Sequence, residues 1–336
     1  MNSYKHFTIN NHFWREAVVH LLESSTPIVL PHYCVMDDMV YTVRGRPVVN
    51  LSKCEIDVLK NCANGKIATS EELTPLFEKR LITFVPHEII APMQGSESIL
   101  VLSPHIDDAA LGIGALINDL VNNGKRVDVL NIYSKQTYQT GIRVPDDSID
   151  RYSIKEEEVA SRCLGYSFTN VGMLGAADRT NLSIHEFVSN CNKLETIHLA
   201  HKSEIEVVSN VIKDFFRKGK YSSLFCPMAI GQHLDHVIVL SATAQLIDNC
   251  VLKKSAVFLY EDQPYAAADM KAVAMPRIIG EIEKVTYNVS ECAFAKLSAL
   301  MAYGMRLRKE QILSVFAYAK KQVLHQLFCE NLWKLN

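Results

Sequence analysis

Six polar side chains that could bind a metal ion or transfer protons lie in two short segments of the chain. The first segment, His105–Asp108 with the sequence HIDD, directly follows an apolar run, and the second, His233–His236 with the sequence HLDH, follows another. Imidazoles and carboxylates that are buried together need partners, so a metal ion, a proton or bulk water must hold them. The two segments therefore predict a site with metal or acid–base chemistry.

Three of these side chains are suitable ligands for one zinc ion. A catalytic zinc takes three protein ligands and keeps one open position. His105, Asp108 and His236 would supply the ligands, and a water at the open position would have its pKa lowered to about 7. Two histidines and one aspartate would also accept iron or cobalt.

The other three side chains would then be unliganded but close to the metal. Asp107 would accept a proton from the water as general base. His233, as a protonated imidazole, would stabilise an oxyanion and protonate a leaving group. Asp235 would orient His233 and keep it cationic. Together these groups suffice for metal-assisted hydrolysis of an amide.

Strands and helices alternate along residues 97–336, which predicts an α/β domain. Near-continuous apolar strands separated by helices are typical of a Rossmann-like, mostly parallel sheet with helices on both faces. In such sheets ligands bind at the carboxyl ends of strands, where both polar segments lie. A stretch with helical apolar spacing and a basic face predicts a further packed helix at 296–322. The other predicted elements are strands at 98–103, 126–132, 170–174, 223–228 and 256–261 and helices at 108–123, 152–165, 204–218 and 234–249.

Helix capping is an alternative explanation for the same polar residues. Asp107 and Asp108 would cap and complement the helix at 108–123, because helix N-termini favour acidic side chains. His233 and Asp235 would do the same for the next helix. Two such segments at equivalent positions of one sheet favour a functional site over capping alone.

Residues 1–94 have a different pattern and predict a small winged-helix-like α+β domain. Ser52 with Glu55, and Thr69 with Glu72, have the spacing of capping boxes that begin two helices. The predicted order is a hairpin at 40–52, helices at 52–65 and 69–80, a strand at 81–86 and a linker at 92–96.

Composition excludes several classes of protein. The formal net charge of −2 gives no basic field for nucleic acid. The nine cysteines have no zinc-knuckle spacing and are expected to be free thiols of a reducing compartment. The first thirty residues lack the pattern of a signal peptide, and no apolar run approaches the roughly 20 residues of a membrane helix. We therefore expect a cytoplasmic protein with no membrane or nucleic-acid partner.

The two polar segments and the region between them resemble one known family. The sequence SPHIDDAALG is similar to the motif [AS]-H-P-D-D-E of the PIG-L/LmbE-like deacetylases, and HLDH is similar to their second motif, H-x-D-H. Residues 151–179 are similar to the middle segment of that family. The resemblance spans about residues 97–320 and implies a Rossmann-like fold and zinc-dependent N-deacetylation of an amino sugar or its conjugate. It implies the same roles as above for His105, Asp107, Asp108, His233, Asp235 and His236.

The sequence departs from the family pattern at three places. Ile106 replaces the proline that follows the first histidine, and Ala109 replaces the acid that closes the first motif. The loop PMAIGQ before His233 carries no tyrosine or charge. We expect altered support of the site near Ala109, and the absence of some sugar contacts at the loop.

Substrate contacts are predicted at two acidic residues and three arginines. Glu261 and Asp262 follow the last predicted strand and would lie at the same edge of the sheet. Arg143 and Arg151, together with Arg179, would hold an anionic group of the substrate. Each arginine could instead be a solvated residue or a helix partner.

The N-terminal region weakly resembles PqqD-like peptide-recognition domains, in which a peptide adds a strand to a winged helix. That resemblance implies a peptide- or carrier-linked substrate; the alternative is a packing or dimerisation role in a homo-oligomer. The predicted function is a zinc-dependent amidohydrolase that removes an N-acyl group, most simply acetyl, from an amino sugar or natural-product intermediate. The competing hypothesis is a catalytically inert α/β scaffold with a peptide-docking module.

Overall fold

The computed structural model describes residues 11–36, 39–66, 68–88, 90–135, 137–180, 200–270, 279–321 and 327–336. Its N-terminal part is a small α+β unit in which the first strand pairs antiparallel with the fourth and the second with the third. The elements of this unit are α1 (Asn11–Leu22), β1 (Ser25–Val29), β2 (Tyr33–Met36), β3 (Met39–Thr42), α2 (Lys53–Ala63), α3 (Ser70–Glu78) and β4 (Ile82–Pro86).

Both predicted capping boxes are present. The Ser52 hydroxyl accepts the Glu55 N–H, and the Glu55 carboxylate accepts the Ser52 N–H; Thr69 and Glu72 do the same at the start of α3. These reciprocal bonds satisfy backbone donors that the first helical turn leaves without partners. The sequence therefore predicted both helices correctly.

The predicted hairpin at 40–52 is only partly correct. The chain does turn back after β3, because Gly45 at φ 72° closes a turn with Thr42. The returning segment pairs with β3 only briefly, through an isolated bridge between Pro47 and Tyr41 and two backbone hydrogen bonds, Thr42 N–H to the Arg46 carbonyl (2.8 Å) and Val48 N–H to the Val40 carbonyl (2.7 Å). Proline has no N–H to continue this ladder, and the longer partner of β3 is β2.

A seven-stranded sheet forms the centre of the molecule. Five neighbouring strands run parallel, and two antiparallel strands complete one edge. This confirms the predicted Rossmann-like, mostly parallel sheet. The order across the sheet is β10-β11-β9-β8-β5-β6-β7, with β5 (Ser98–Ser103), β6 (Arg126–Asn131), β7 (Ser167–Asn170), β8 (Ser223–Pro227), β9 (Val257–Tyr260), β10 (Ile282–Asn288) and β11 (Cys329–Leu335).

Helices cover both faces of this sheet. Alternate residues of β5 belong to two different apolar clusters: Ile99 and Val101 to one, Leu100 and Leu102 to the other. The helices are α4 (Asp108–Asn122), α5 (Ile149–Leu164), α6 (Ala176–Arg179), α7 (Lys202–Gly219), α8 (Leu234–Asp248), α9 (Ala293–Ala302) and α10 (Lys309–Lys321). The first cluster includes residues of α4, α5, α9 and the N-terminal unit, and the second includes residues of α7 and α8.

The strand order changes direction between β5 and β8. The chain runs from β5 outward through β6 to β7, then crosses to β8 on the other side of β5 and continues to β9. Loops that leave the carboxyl ends of β5 and β8 therefore diverge and leave a crevice, the usual ligand site of such sheets. Both polar segments follow these two strands.

Two predicted elements differ in the structure. The strand predicted at 170–174 ends at Asn170, because Gly172 adopts φ 86°, which extended strands do not use. The helix predicted at 296–322 is divided into α9 and α10 by a loop, 303–308. Gly304 in this loop lies so close to the His32 ring that a Cβ atom would come within 2.9 Å of it.

The N-terminal unit packs directly on the sheet domain. The Arg80 guanidinium is buried and donates to the carbonyls of Leu307 (2.6 Å) and Met301 (3.3 Å). The Thr83 hydroxyl donates to the Ser298 carbonyl at 2.7 Å. Residues of both predicted domains, 1–94 and 97–336, therefore contribute to one continuous packed core.

Within the part of the chain that the structure describes, no helix is long and apolar enough to cross a bilayer.

Arg80→Met should lower the free energy of unfolding by about 2 to 3 kcal/mol, because it leaves two buried carbonyls without donors. Urea denaturation measures the change. Arg15→Met is the matched control, since Arg15 forms a largely exposed pair with Glu71 and should change stability by less than about 1 kcal/mol. Equal losses in the two variants would contradict a buried anchoring role for Arg80.

Candidate metal centre and active site

The turn after β5 presents the first polar segment. The Ser103 hydroxyl donates to the His105 carbonyl and accepts the Ala109 N–H, which closes the turn into α4. Asp107 occupies the N-cap position of α4, yet its side chain makes no capping hydrogen bond. The Asp108 carboxylate accepts the His105 N–H at 2.7 Å. Helix capping therefore does not explain why Asp107 is an acid.

A break in α4 separates its first turn from the rest of the helix. Ile113 has non-helical angles (φ −135°, ψ 29°), so nearby backbone groups lose their helical partners. Lys296 donates to the Leu111 carbonyl at 2.6 Å, and the Glu330 carboxylate accepts the Leu116 N–H at 2.7 Å. Lys296 and Glu330 also form a buried ion pair at 2.5 Å. Side chains from α9 and β11 therefore supply hydrogen-bond partners to backbone groups at the break in α4.

Three donor atoms from the two segments form a compact triangle. Asp108 Oδ2 lies 3.1 Å from His105 Nδ1 and 3.2 Å from His236 Nε2, and the two nitrogens are 3.3 Å apart. Ligands about 2.0 to 2.1 Å from a tetrahedral zinc lie roughly 3.3 Å from one another. All three side chains are buried. The donor types and their spacing therefore fit one face of a zinc coordination sphere.

The outer nitrogen of each imidazole is held by a carboxylate. His105 Nε2 lies 2.9 Å from Asp235 Oδ2, and His236 Nδ1 lies 2.5 Å from Asp262 Oδ1. These bonds keep the proton on the outer nitrogen, so the inner nitrogen presents its lone pair to a metal. Asp235 is fixed in turn by Arg179, whose guanidinium donates to its other oxygen at 2.5 Å.

The role predicted for Asp235 is therefore corrected. Its carboxylate lies 3.9 Å from His233 Nδ1, too far for a hydrogen bond, and it supports His105 instead. His233 is the N-cap of α8, where Nδ1 accepts the backbone N–H of Asp235 at 3.3 Å. In a neutral His233 ring, the proton consequently lies on Nε2.

His233 also differs from the cationic group that the sequence suggested. Burial, followed by the neighbouring charge of His105, lowers the pKa of His233 to about 3. At neutral pH the ring is uncharged. It still donates one hydrogen bond through Nε2, which is the property that oxyanion stabilisation requires.

Asp107 has the acidity expected of a general base. Burial and the adjacent Asp108 carboxylate raise the pKa of Asp107 to about 6, against the opposing effects of Arg306 and His105. Asp107 is therefore mostly ionised at neutral pH, and a carboxylate with this pKa takes up a proton more readily than an ordinary one.

Without a metal, the triangle holds protons. Burial disfavours charged imidazoles, but the Asp108 carboxylate outweighs it and raises the pKa of both His105 and His236. Burial likewise opposes ionisation of Asp108, but His236 and His105 hold its pKa well below the usual value. A metal ion at this position must displace those protons.

A cavity of about 250 Å³ opens beside the triangle. Its wall includes His105, Asp107, Asp108, His233, Asp235, Tyr138, Tyr265 and Arg306. Arg306 belongs to the loop 303–308, where the sequence predicted an uninterrupted helix, so its place in the site was missed. The sequence signal for this loop was Gly304, a poor helix former, two residues before Arg306.

Residues 100–247 match the model of the family described as PIG-L: GlcNAc-PI de-N-acetylase. Residues 100–247 form a PIG-L family domain. This confirms the family and the deacetylase class predicted for this part of the chain. No curated protein sequence gives a significant match.

Solved deacetylase structures share the fold of the PIG-L domain and its surroundings. A pseudoaglycone deacetylase for the antimicrobial A40926 has a TM-score of 0.53 and 19% identity, covering 70% of this chain and 96% of its own. A deacetylase–teicoplanin complex has a TM-score of 0.52 and 20% identity, covering 70% of this chain and 97% of its own. At these identities the likeness establishes the shared fold.

The departures from the PIG-L motif lie in the core rather than in the cavity. Ala109 is fully buried, and its N–H is bonded to Ser103. The Ile106 carbonyl accepts the Tyr303 hydroxyl at 3.2 Å, and that hydroxyl also donates to Glu157 at 2.6 Å. Burial raises the pKa of Glu157 to about 7. A buried network anchored on Glu157 thus supports the turn near Ala109.

Glu261 and Asp262, predicted as substrate contacts, are not among the residues that line the catalytic cavity. Glu261 accepts hydrogen bonds from Tyr318 (3.0 Å) and Asn331 (2.9 Å) away from the cavity. Asp262 supports His236 and accepts the Ile230 N–H at 2.9 Å. Successive residues of an extended chain point to opposite sides, so a single strand end cannot aim both acids at one ligand.

The two arginines predicted as substrate contacts, Arg143 and Arg151, do not line the catalytic cavity either. Arg151 is exposed on α5, where its guanidinium lies over the Tyr152 ring and donates to Ser148 at 3.3 Å, and it does not line the cavity. Arg143 lines a second cavity that adjoins the first. Arg179, the third candidate, is committed to Asp235.

Zinc should bind at about one ion per chain and release protons, because the raised pKa values of His105 and His236 favour protonated rings in the free site. Affinity should fall as the pH is lowered, since both raised pKa values favour the proton over the metal. Titration calorimetry in two buffers of different ionisation enthalpy measures the protons released. His105→Ala and His236→Ala should lose the zinc and the exposed His87→Ala should keep it; zinc retained by His236→Ala would contradict this ligand set.

Asp262→Asn should weaken zinc binding by about 10- to 100-fold, because it removes the carboxylate that orients His236. Competition with a chromogenic chelator measures the affinity. Glu261→Gln is the matched control, since the adjacent acid bonds to Tyr318 and Asn331 and pairs with Lys284 at 3.9 Å rather than with His236, and it should leave zinc affinity unchanged. The same loss in both variants would refute the distinction between the two acids.

Proposed function

We propose that the protein is a metal-dependent hydrolase that removes an N-acyl group, most simply acetyl, from an amino sugar or a natural-product intermediate. The observation that carries this proposal is the triangle of His105, Asp108 and His236 donor atoms beside a cavity that Asp107 lines. The PIG-L match over residues 100–247 supports the same reaction class.

Zinc is the proposed metal, and His105, Asp108 and His236 are its proposed ligands. Iron or cobalt would suit the same donors. When bound, the ion would supply Lewis acidity, polarising the acyl carbonyl and acidifying water. His233 is the other donor nearby, since the three imidazoles offer nitrogens within 4.8 Å of one another. That spacing is looser than the Asp108 triangle, so we assign His233 to the substrate instead.

Asp107 is the proposed general base. It is ionised above its pKa of about 6 and lines the cavity, so it can take the proton of the attacking water. The neutral His233 donates its Nε2 hydrogen to the oxyanion that forms on the acyl oxygen when water attacks the acyl carbon. If His233 transferred its Nε2 proton to the leaving amine, the ring would become an imidazolate, which is unfavourable. The leaving amine therefore receives the proton that Asp107 took from the water.

A peptide- or carrier-linked substrate remains our proposal for the N-terminal unit. Among the described strands, β2 pairs only with β3, so its other edge is available to an added strand. Met36 and Met39, at the end of this hairpin, are exposed apolar side chains. These features support docking of a peptide there.

The competing hypothesis is a catalytically inert scaffold. It does not account for a buried set of donors at metal-ligand spacing, with a supporting carboxylate for each of the two imidazoles. Burial of these charged and polar groups is unfavourable in free energy, and a docking scaffold would not require it.

The reaction class is tested with a panel of N-acyl compounds assayed for free amine. N-acetylated amino sugars should release amine in the presence of zinc, and an excess of chelator should abolish the release. Amine release that persists without any divalent metal would overturn the proposal.

Asp107→Asn should retain zinc and lower kcat by about 10²- to 10⁴-fold, because it removes the proton acceptor. In the wild type, kcat/KM should decline as the pH falls through about 6, where Asp107 becomes protonated. The residual activity of the variant should lack this acidic limb. Rate measurements from about pH 5 to about pH 8 test the loss of kcat and the loss of the acidic limb. If Asp107→Asn kept the wild-type dependence of kcat/KM on pH, Asp107 would be excluded as the base.

A further inference from the structure

A second cavity, of about 460 Å³, adjoins the catalytic cavity. Tyr138, Ala177 and Asp178 line both cavities, so the two spaces adjoin at these residues. The Tyr138 side chain is half exposed (50%) at this junction. A bound molecule that passes over the Tyr138 ring can therefore occupy both cavities.

Arg143 brings an uncompensated positive charge to the second cavity. It is exposed, and no ion pair or hydrogen bond joins its side chain to any residue that the structure describes. A guanidinium offers up to five N–H donors in a plane that matches a carboxylate or a phosphate.

The N-terminal unit supplies a second guanidinium to the same cavity. Arg44 lines it, although it lies far outside the matched segment 100–247. Its nearest carboxylate oxygen belongs to Asp146 at 3.7 Å, and the Asp146 side chain is 89% exposed. Solvent screens such a pair strongly, so Arg44 can exchange this contact for a ligand.

The remaining acid of the cavity is already engaged. The Asp178 carboxylate accepts the Thr137 N–H at 2.8 Å and also the Thr137 hydroxyl. These bonds fix Asp178 against the loop wall and satisfy part of its hydrogen-bonding capacity. The two arginines therefore remain as the groups best able to bind an anion.

The backbone that carries Arg44 is held firmly in place. Val43 donates its N–H to the His32 carbonyl at 2.9 Å and packs on the small apolar cluster of Val144, Ile149, Tyr152 and Met305. The His32 ring is buried against Glu156 at 2.8 Å. Because the backbone beside Arg44 is already fixed, ligand binding has to order only the Arg44 side chain, which lowers the conformational entropy lost on binding.

We propose that the N-terminal unit completes the substrate site of this protein. Arg44 and Arg143 bind a carboxylate or phosphate on the part of the substrate that lies beyond Tyr138, while the acylamino end occupies the catalytic cavity. The proposal rests on the proposed deacetylase function, and it makes the preferred substrate an anionic conjugate larger than a free amino sugar.

The test uses N-acetylglucosamine glycosides whose aglycone ends in a carboxylate, a phosphate or an uncharged amide, each with a short and a long spacer. The zinc-loaded wild type should show a KM for at least one charged probe about tenfold below that of the matched amide probe. The carboxylate and phosphate series show which anion is preferred. Equal KM values for charged and uncharged probes at both spacers would overturn the proposal.

Arg44→Gln and Arg143→Gln should each remove most of that preference for charge, and raised salt should weaken it in the wild type. Arg46→Gln is the matched control, because Arg46 is exposed in the same turn as Arg44 but lines neither cavity. A loss of preference in Arg46→Gln as large as in Arg44→Gln would refute a specific subsite.

Binding measurements separate this proposal from the deacetylase function. Titration calorimetry with zinc-loaded protein should show tighter binding of the charged probes whether or not any probe is hydrolysed. If charged probes bind more tightly through both arginines but none is hydrolysed, the subsite stands and the deacetylase assignment fails. If probes are hydrolysed without any preference for charge, the deacetylase assignment stands and the subsite fails.

Discussion

The close approach of one carboxylate oxygen and two imidazole nitrogens is the constraint on which the rest of the structure depends. Three buried donors about 3.2 Å apart repel one another unless a cation or protons lie among them. Keeping them there requires strands that end side by side, turns that face each other, and outer carboxylates that hold each ring. The switch point between β5 and β8 supplies the first two requirements, and Asp235 and Asp262 supply the third.

The position and residue types of this site could be predicted from sequence because they depend on local patterns. Apolar runs mark strands, and polar residues just after them must lie at the carboxyl edge of a parallel sheet. The partner of each polar side chain could not be predicted, because it depends on how β5 and β8 are placed in space. Asp235 is two residues from His233 in sequence, yet its carboxylate bonds to His105, 130 positions away.

The N-terminal unit is more closely integrated than its different sequence pattern suggested. Capping boxes identified its helices, since those signals are local. The contacts of Arg80, Thr83 and His32 with the sheet domain are long-range and leave no periodic trace in the sequence. The loop 303–308, which divides α9 from α10, is held by these contacts from one side and lines the catalytic cavity on the other. Sequence reasoning missed this loop because its apolar spacing continues across the break.

The ion pair of Lys296 and Glu330 has a consequence for the order of events during synthesis. The helix that carries Asp108 is broken, and its unpaired backbone groups are satisfied by side chains about 185 and 215 residues later. While the nascent chain still lacks β11, the Ala115 and Leu116 N–H groups have no Glu330 carboxylate to accept them. The helix that carries Asp108 can therefore reach its final hydrogen bonding only after the most C-terminal strand of the sheet has joined it.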